Sequence, residues 1–413
     1  MFLFLFFRTG LAALAMASVI AFPATVLAAS AELQPKLQKI ADQYLAEHAK
    51  EEGFTAVSLS VSLDGASPNL NAVAGRMSAD AEAAPVTSAT LFQIGSITKS
   101  MTATVVLQLV KEGVLSLDAP IGAWLPEYPE WKDKTLRHLL TMTSGIPTYD
   151  DTDAFMKAFA ANGIGRYFST AQLVSFVDPA LSGSPPPTRG YDYSNTNFIL
   201  VQMIIERATG KPFEDHVTSR ILTGHGLTDT YYRATHYPDA VASRLVPGYL
   251  FALAPEQKPM EPMLGKDVSR SDMSWAQGAG GAVATPGDVT RWARLLFTGN
   301  ILDEAQRKEL GSIVSMKTGA PIADVTKDDP KGFGLGVMKS MFGPGQYIWA
   351  YEGGTMGNRV LYAYFPKHGL VIAAGLNSST STVDKISLMI RDAYVAATGD
   401  TAILGETHVQ PAQ

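Results

Sequence analysis

Strand-type patterning lies at the two ends of this chain and is nearly absent between them, and that arrangement restricts the fold more than any other feature. Near the start, Val57, Leu59, Val61 and Leu63 alternate with Ser58, Ser60 and Ser62. A period of two marks a β-strand, and Asp64-Gly65 ends the run as a turn pair. A second strand around 70–75 completes a hairpin. Near the other end, 332–338, 347–351, 359–365 and 370–376 are short and rich in Val, Ile, Tyr and Phe, with Gly and Pro366-Lys367-His368-Gly369 as punctuation. From about 115 to 310 the patterns are helical, as at 135–142, 197–208 and 286–298, and further helices are read at 31–50 and 383–397. This order predicts an α+β fold of the α/β sandwich type. One antiparallel sheet is built from both chain ends and flanked by helices, with an inserted, mainly helical domain. The expected units are a discontinuous sheet domain (32–90 plus 325–400), a helical insert (91–324) and a C-terminal tail (401–413). A cleft between sheet and insert is the natural place for a site.

Residues 1–28 read as a secretory signal peptide: an apolar start, Arg8, an apolar run from Leu11 to Phe22, and small residues around Val26-Leu27-Ala28. The expectation is a secreted or periplasmic protein with no stable membrane span after signal removal; an uncleaved anchor is the alternative. No other stretch reaches the ~18–20 uninterrupted apolar residues that a span requires. Cysteine is absent, which excludes disulfides, a thiol nucleophile and Cys metal sites. The seven histidines show no His-Glu-x-x-His spacing, so neither a metal nor another cofactor is expected. A net charge of −6 without basic clusters argues against nucleic acid or an anionic membrane as partner.

The chemistry concentrates at Gly95-Ser96-Ile97-Thr98-Lys99, just ahead of an apolar helix running to about Glu112. Residues three apart share a helix face with Cβ atoms ~5–6 Å apart, so Lys99 can set its amine beside the Ser96 oxygen. The free N–H groups and positive dipole end of a first turn also favour negative charge there. Ser96 is thus a candidate nucleophile with a built-in base. The same pattern fits a plain N-cap serine followed by a solvated lysine. A loop at 181–190, rich in Pro and Gly, delivers the chain to Tyr193-Ser194-Asn195, and the sparsely patterned segment 246–276 is long enough to cover a cleft. His138 and His216 read as structural.

Ser96-x-x-Lys99 and Tyr193-Ser194-Asn195 are each unique in the chain. With them come Leu136-Arg137-His138-Leu139-Leu140, Thr143-Ser144-Gly145, Ala279-Gly280-Gly281, Thr285-Pro286-Gly287-Asp288, Gly334-Leu335-Gly336 and Gly353-Gly354-Thr355-Met356-Gly357. In this combination the chain resembles the serine β-lactamase and penicillin-binding-protein superfamily, in the branch of class C β-lactamases, D-alanyl-D-alanine carboxypeptidases, D-aminopeptidases and related esterases. The resemblance implies a β-lactamase/transpeptidase-like fold and acyl transfer through a covalent ester on Ser96. Lys99 and Tyr193 would share the proton work. Asn195 would orient Lys99 or bind the substrate amide, and the N–H groups of Ser96 and Gly354 would form an oxyanion hole.

Departure from the family pattern occurs at its third motif, usually Lys-Thr-Gly or His-Thr-Gly on a strand lining the cleft. The literal Lys317-Thr318-Gly319 lacks a strand pattern and reads as a surface coincidence. In the right context stands Tyr351-Glu352-Gly353-Gly354, with Tyr351 and Glu352 at the Lys/His and Thr positions. A phenol and a carboxylate there would repel the substrate carboxylate that the family binds, unless Arg359 swings in. Glu352 is expected either to meet a substrate amine or to turn away, facing solvent or pairing with an arginine. The expected activity is hydrolysis of a small ester or a short (D-amino-acid) peptide amide, including peptidoglycan-derived peptides. β-Lactamase or D-Ala-D-Ala carboxypeptidase activity is the alternative, and a sensor or scaffold that acylates without turnover is the alternative of another class.

Overall fold

The computed structural model describes residues 24–65, 68–161, 165–182, 190–233, 235–343 and 345–405. Most of the signal-peptide reading lies outside these residues; 24–28 belong to the first helix, α1 (Ala24–Glu52). Strands β1 (Ala56–Ser62) and β2 (Leu70–Gly75) form the expected hairpin. Three short strands follow within the helical region: β3 (Phe92–Gln93), β4 (Thr230–Tyr232) and β6 (Ala282–Ala284) pair in the order β3-β6-β4. The fifth, β5 (Tyr249–Ala252), pairs in parallel with β14 (Ser378–Thr380).

Among the described residues the main sheet has nine strands. To β1 and β2 are added β7 (Ile313–Ser315), β8 (Pro321–Ile322), β9 (Lys331–Phe333), β10 (Met338–Met341), β11 (Tyr347–Gly354), β12 (Arg359–Phe365) and β13 (Leu370–Leu376), in the order β2-β1-β13-β12-β11-β10-β9-β7-β8. All neighbours are antiparallel, and the two chain ends meet where β1 pairs with β13, Val57 opposite Leu376. Lys317-Thr318-Gly319 sits at the β7–β8 connection, with Lys317 exposed and donating to the Asp328 carbonyl, away from the cleft strand β11.

Helices cover both faces of the sheet. Val57, Leu59 and Val61 pack with Leu37 and Ala41 of α1 and with Met389, Ile390 and Ala393 of the final helix, Ile386–Thr398. The alternating serines meet the helix Pro286–Phe297 instead of water: Ser58, Ser60 and Ser62 are all buried, and Arg294 Nε donates to Ser62 Oγ at 3.1 Å. Alternation here separates two packing partners: the aliphatic side chains face α1 and the final helix, and the small serines leave room for the helix on the other face, where Ser62 meets Arg294. Trp292 and Leu296 of that helix fill the second core, and each such side chain contributes about 1.5–3 kcal/mol on burial.

The helix following the Ser96 turn, α2 (Thr98–Lys111), is enclosed along nearly its whole length, from Thr98 to Leu107. Its hydroxyls find partners inside the protein: Trp292 Nε1 donates to Ser100 Oγ at 2.8 Å, and Thr102 Oγ1 donates to Gly278 O at 2.7 Å. A central, buried helix therefore follows the turn that carries the candidate nucleophile.

Candidate active site

Ser96 occupies the middle of a 3-10 turn, Gly95–Ile97, that leads into α2. Its hydroxyl is no helix cap; Oγ lies 2.6 Å from Tyr193 Oη and accepts from Lys99 Nζ at 2.9 Å. Lys99 is completely buried. Its ammonium donates to three acceptors: Ser96 Oγ, Asn195 Oδ1 at 2.6 Å and the Ala279 carbonyl at 2.8 Å. Three donors meeting three acceptors fix the amine in one direction, which offsets the cost of enclosing it.

Asn195 opens the helix Asn195–Thr209 and is held in turn. Its Nδ2 donates to Asp150 Oδ2 at 2.7 Å, and its backbone N–H reaches Thr148 Oγ1 at 3.0 Å. Thr148 Oγ1 donates to the other oxygen of Asp150 at 2.5 Å. The sequence reading named Ser96, Lys99, Tyr193 and Asn195, and the fold brings all four together; it missed Asp150 and the Ala279 carbonyl. The Ala279-Gly280-Gly281 run was a usable signal for the latter.

On the opposite wall the end of β11 approaches the nucleophile turn backbone to backbone. A Cβ on Gly353 would stand 1.9 Å from Ile94 O and 3.0 Å from Ser96 N, and one on Gly95, whose φ is +46°, would stand 2.4 Å from Gly354 O and 2.9 Å from Gly354 N. Glycine is required at both positions for this contact. Gly353 thus serves protein-to-protein approach and not substrate contact. Gly354 lines the same cavity as Ser96.

Tyr351 and Glu352 do not face substrate as the expectation had it. The Tyr351 ring is only 2% exposed, stands edge-on to Phe333, and donates its hydroxyl to Tyr193 Oη at 3.3 Å. Burial, with Tyr193 and Tyr191 close by, pushes its phenol well above the ordinary value, so it stays a neutral donor. Adjacent residues of a strand point to opposite faces, so Glu352 is directed to the helix-covered side. Its carboxyl bonds to Asp384 there, and Arg359 is held on that side by Glu52 and Asp384. Of the two readings left open for Glu352, pairing in an arginine cluster is the observed one.

The cavity in front of Ser96 holds about 500 Å³. Segment 246–276 supplies one wall with Leu250, Leu253, Glu256, Met260 and Trp275. Asp150, Asp151 and Glu256 give this cavity a negative lining, and no Lys, Arg or His is among the described residues that line it. Enclosure, followed by repulsion from Asp150, Asp192 and Glu256, pushes the Asp151 carboxyl up to about 6. These acids were absent from the sequence reading.

The model of the beta-lactamase family matches residues 41–397. The chain belongs to that family. Among curated relatives, penicillin-binding protein 4* of Bacillus subtilis is 27% identical over 244 residues, 58% of this chain and 52% of that protein. Esterase EstB of Burkholderia gladioli is 32% identical over 171 residues, 37% of this chain and 41% of that protein. The matches thus span about half the length of such relatives or less. Among solved structures, the D-amino acid amidase of Ochrobactrum anthropi superposes with a TM-score of 0.72 at 25% identity, over 89% of this chain and 99% of that one. A D-stereospecific amidohydrolase from Streptomyces gives 0.70 at 26%, over 90% and 99%. The β-lactamase/transpeptidase-like architecture expected from the sequence is the observed one. No described helix is long and apolar enough to cross a membrane.

Proposed function

We propose that this chain is a serine acyl-hydrolase that forms a covalent ester on Ser96 and acts on a small neutral ester, or on a short peptide amide whose D-configured acyl residue carries a free amine. The observation that carries this is the pairing of one hydroxyl, held between Lys99 Nζ and Tyr193 Oη, with an acid-lined cavity. As Ser96 Oγ attacks the carbonyl carbon, its proton passes to Tyr193 Oη, which enters this step as the phenolate beside the Lys99 ammonium, and the N–H groups of Ser96 and Gly354 take the developing oxyanion. The Tyr193–Lys99 pair then protonates the leaving alcohol or amine. Water, deprotonated by the same pair, attacks the ester and frees Ser96.

Asp151 and Glu256 favour a cationic group on the substrate and disfavour a carboxylate, which sets free carboxyl-terminal peptides and most β-lactams behind amine-bearing substrates. The D-amino acid amidase and D-stereospecific amidohydrolase similarities support the amide arm, the EstB similarity the ester arm, and the penicillin-binding-protein similarity a peptidoglycan-derived peptide.

Intact mass after incubation with a fluorophosphonate probe tests the core of this reading, with Ser96→Ala as control. One adduct on the wild type and none on the variant is expected, followed by faster turnover of D-alanine p-nitroanilide or p-nitrophenyl butyrate than of nitrocefin. No adduct on folded protein would overturn it, and an adduct without turnover of any substrate would leave the non-turnover sensor in its place.

A further inference from the structure

Glu352 is an acid inside a strand, next to the glycines that touch the nucleophile turn, and the chemistry above does not use it. Although the residue keeps some accessible surface, its carboxyl is packed among charged groups from three other elements. Asp384, just ahead of the final helix, accepts from it. Arg359 of β12, directly opposite Gly354 in the register, contacts Asp384 Oδ1 at 2.8 Å and Glu52 Oε2 of α1 at 3.0 Å. Glu52 is fully buried and accepts from Tyr44 Oη at 2.9 Å and from the Lys385 N–H at 3.4 Å. Ser378 completes the cluster, taking Arg359 Nε on its carbonyl at 2.9 Å and donating its hydroxyl to Glu52 O at 2.7 Å.

Two carboxylates therefore contact one guanidinium that is 3% exposed, and a third carboxyl, that of Glu352, bonds to one of them. Arg359 can neutralise only part of that charge, so the third acid keeps its proton. Burial, then the Asp384 charge, pushes Glu352 well above the carboxylate range. Burial opposes the ionised form of Asp384 as well, but Arg359 and the Glu352 hydrogen bond hold it below its ordinary value.

We propose that Glu352 is a positioning residue for acylation of Ser96: as a neutral donor to Asp384 it fixes the end of β11, so that Gly353 and Gly354 stay seated against the Gly95–Ser96 turn. The proposal rests on the reading of Ser96 as nucleophile. Consecutive residues do the two jobs on opposite faces, with Glu352 anchored behind the sheet and Gly353 in contact with Ile94 and Ser96 in front. Loss of the anchor, or a third buried negative charge, lets the strand end move, and misplacement of about 1 Å costs ~10²-fold in rate.

The test is the rate of fluorophosphonate labelling of Ser96 at neutral pH in wild type, Glu352→Gln and Glu352→Ala, with near-UV circular dichroism as a check on packing. Glu352→Gln keeps a donor to Asp384, so it is expected to rescue labelling to within ~3-fold of wild type. Glu352→Ala is expected to lose ~10²-fold with its near-UV spectrum retained. An alanine variant as fast as wild type, or a glutamine variant as slow as the alanine variant with its near-UV spectrum retained, would overturn the proposal alone. Absence of labelling on the wild type would overturn the nucleophile assignment and this proposal with it.

Discussion

Asp151 gives the proposed substrate preference a pH signature. Its carboxyl, pushed up to about 6, is neutral below that pH and negative above it. If it reads a substrate ammonium, KM for D-alanine p-nitroanilide falls as pH rises through about 6, while KM for neutral p-nitrophenyl butyrate does not. Although crowded on the cavity side, the residue keeps part of its surface in water, so the expected change is modest, ~3-fold, and Asp151→Asn should abolish it. Equal movement of both KM values would mean that the carboxyl does not read charge. The contrast with Ser96, Lys99, Tyr193 and Asn195 is instructive. Those four were legible because each belongs to a short motif whose spacing the chemistry dictates. Asp150, Asp151 and Glu256 lie on connections with no period, and only the folded chain brings them to one cavity.

At the scale of elements, β11 was legible as a strand but the direction of its side chains was not. Alternation assigns residues to two faces without saying which face is the cleft, and a carboxylate inside a strand suggested a ligand when it marks a buried cluster behind the sheet. The same limit applies to β1, whose alternation does not tell that its serines are covered by a helix. The close approach of β11 to the nucleophile turn makes a sharp prediction. Gly353→Ala sets a methyl 1.9 Å from a backbone carbonyl that cannot rotate away, so the strand must retreat and Ser96 labelling should fall by ~10²–10³-fold. A Cβ on Gly354 meets nothing within 4 Å, and Gly354→Ala should stay within ~10-fold of wild type. Equal losses in the two variants would show that the glycines act together through substrate contact and not through packing against the turn.

At the scale of the whole molecule, the cleft exists only when the two ends of the chain find each other, because β11 reaches the nucleophile from a sheet whose first strands lie far upstream. Asn377 is the joint. Its Oδ1 accepts from the Thr55 and Ala56 N–H groups at 2.8 and 2.9 Å, and its Nδ2 donates to Thr55 Oγ1 at 2.9 Å and to the Pro247 carbonyl at 2.8 Å. One fully buried amide thus ties the start of β1, the end of β13 and the segment that walls the cavity. Asn377→Ala leaves two backbone donors and a carbonyl without partners, at about 1–3 kcal/mol for each group that stays dry. Since Thr55 can recruit water, the expected loss is about 3 kcal/mol, read as a lower urea midpoint with an unchanged slope. Asn377 does not line the cavity, so labelling of Ser96 in the remaining folded protein should stay within ~3-fold of wild type. A loss below about 1 kcal/mol would mean that strand pairing alone fixes the joint. A full loss with slowed labelling would mean that the joint also sets the geometry of the cleft.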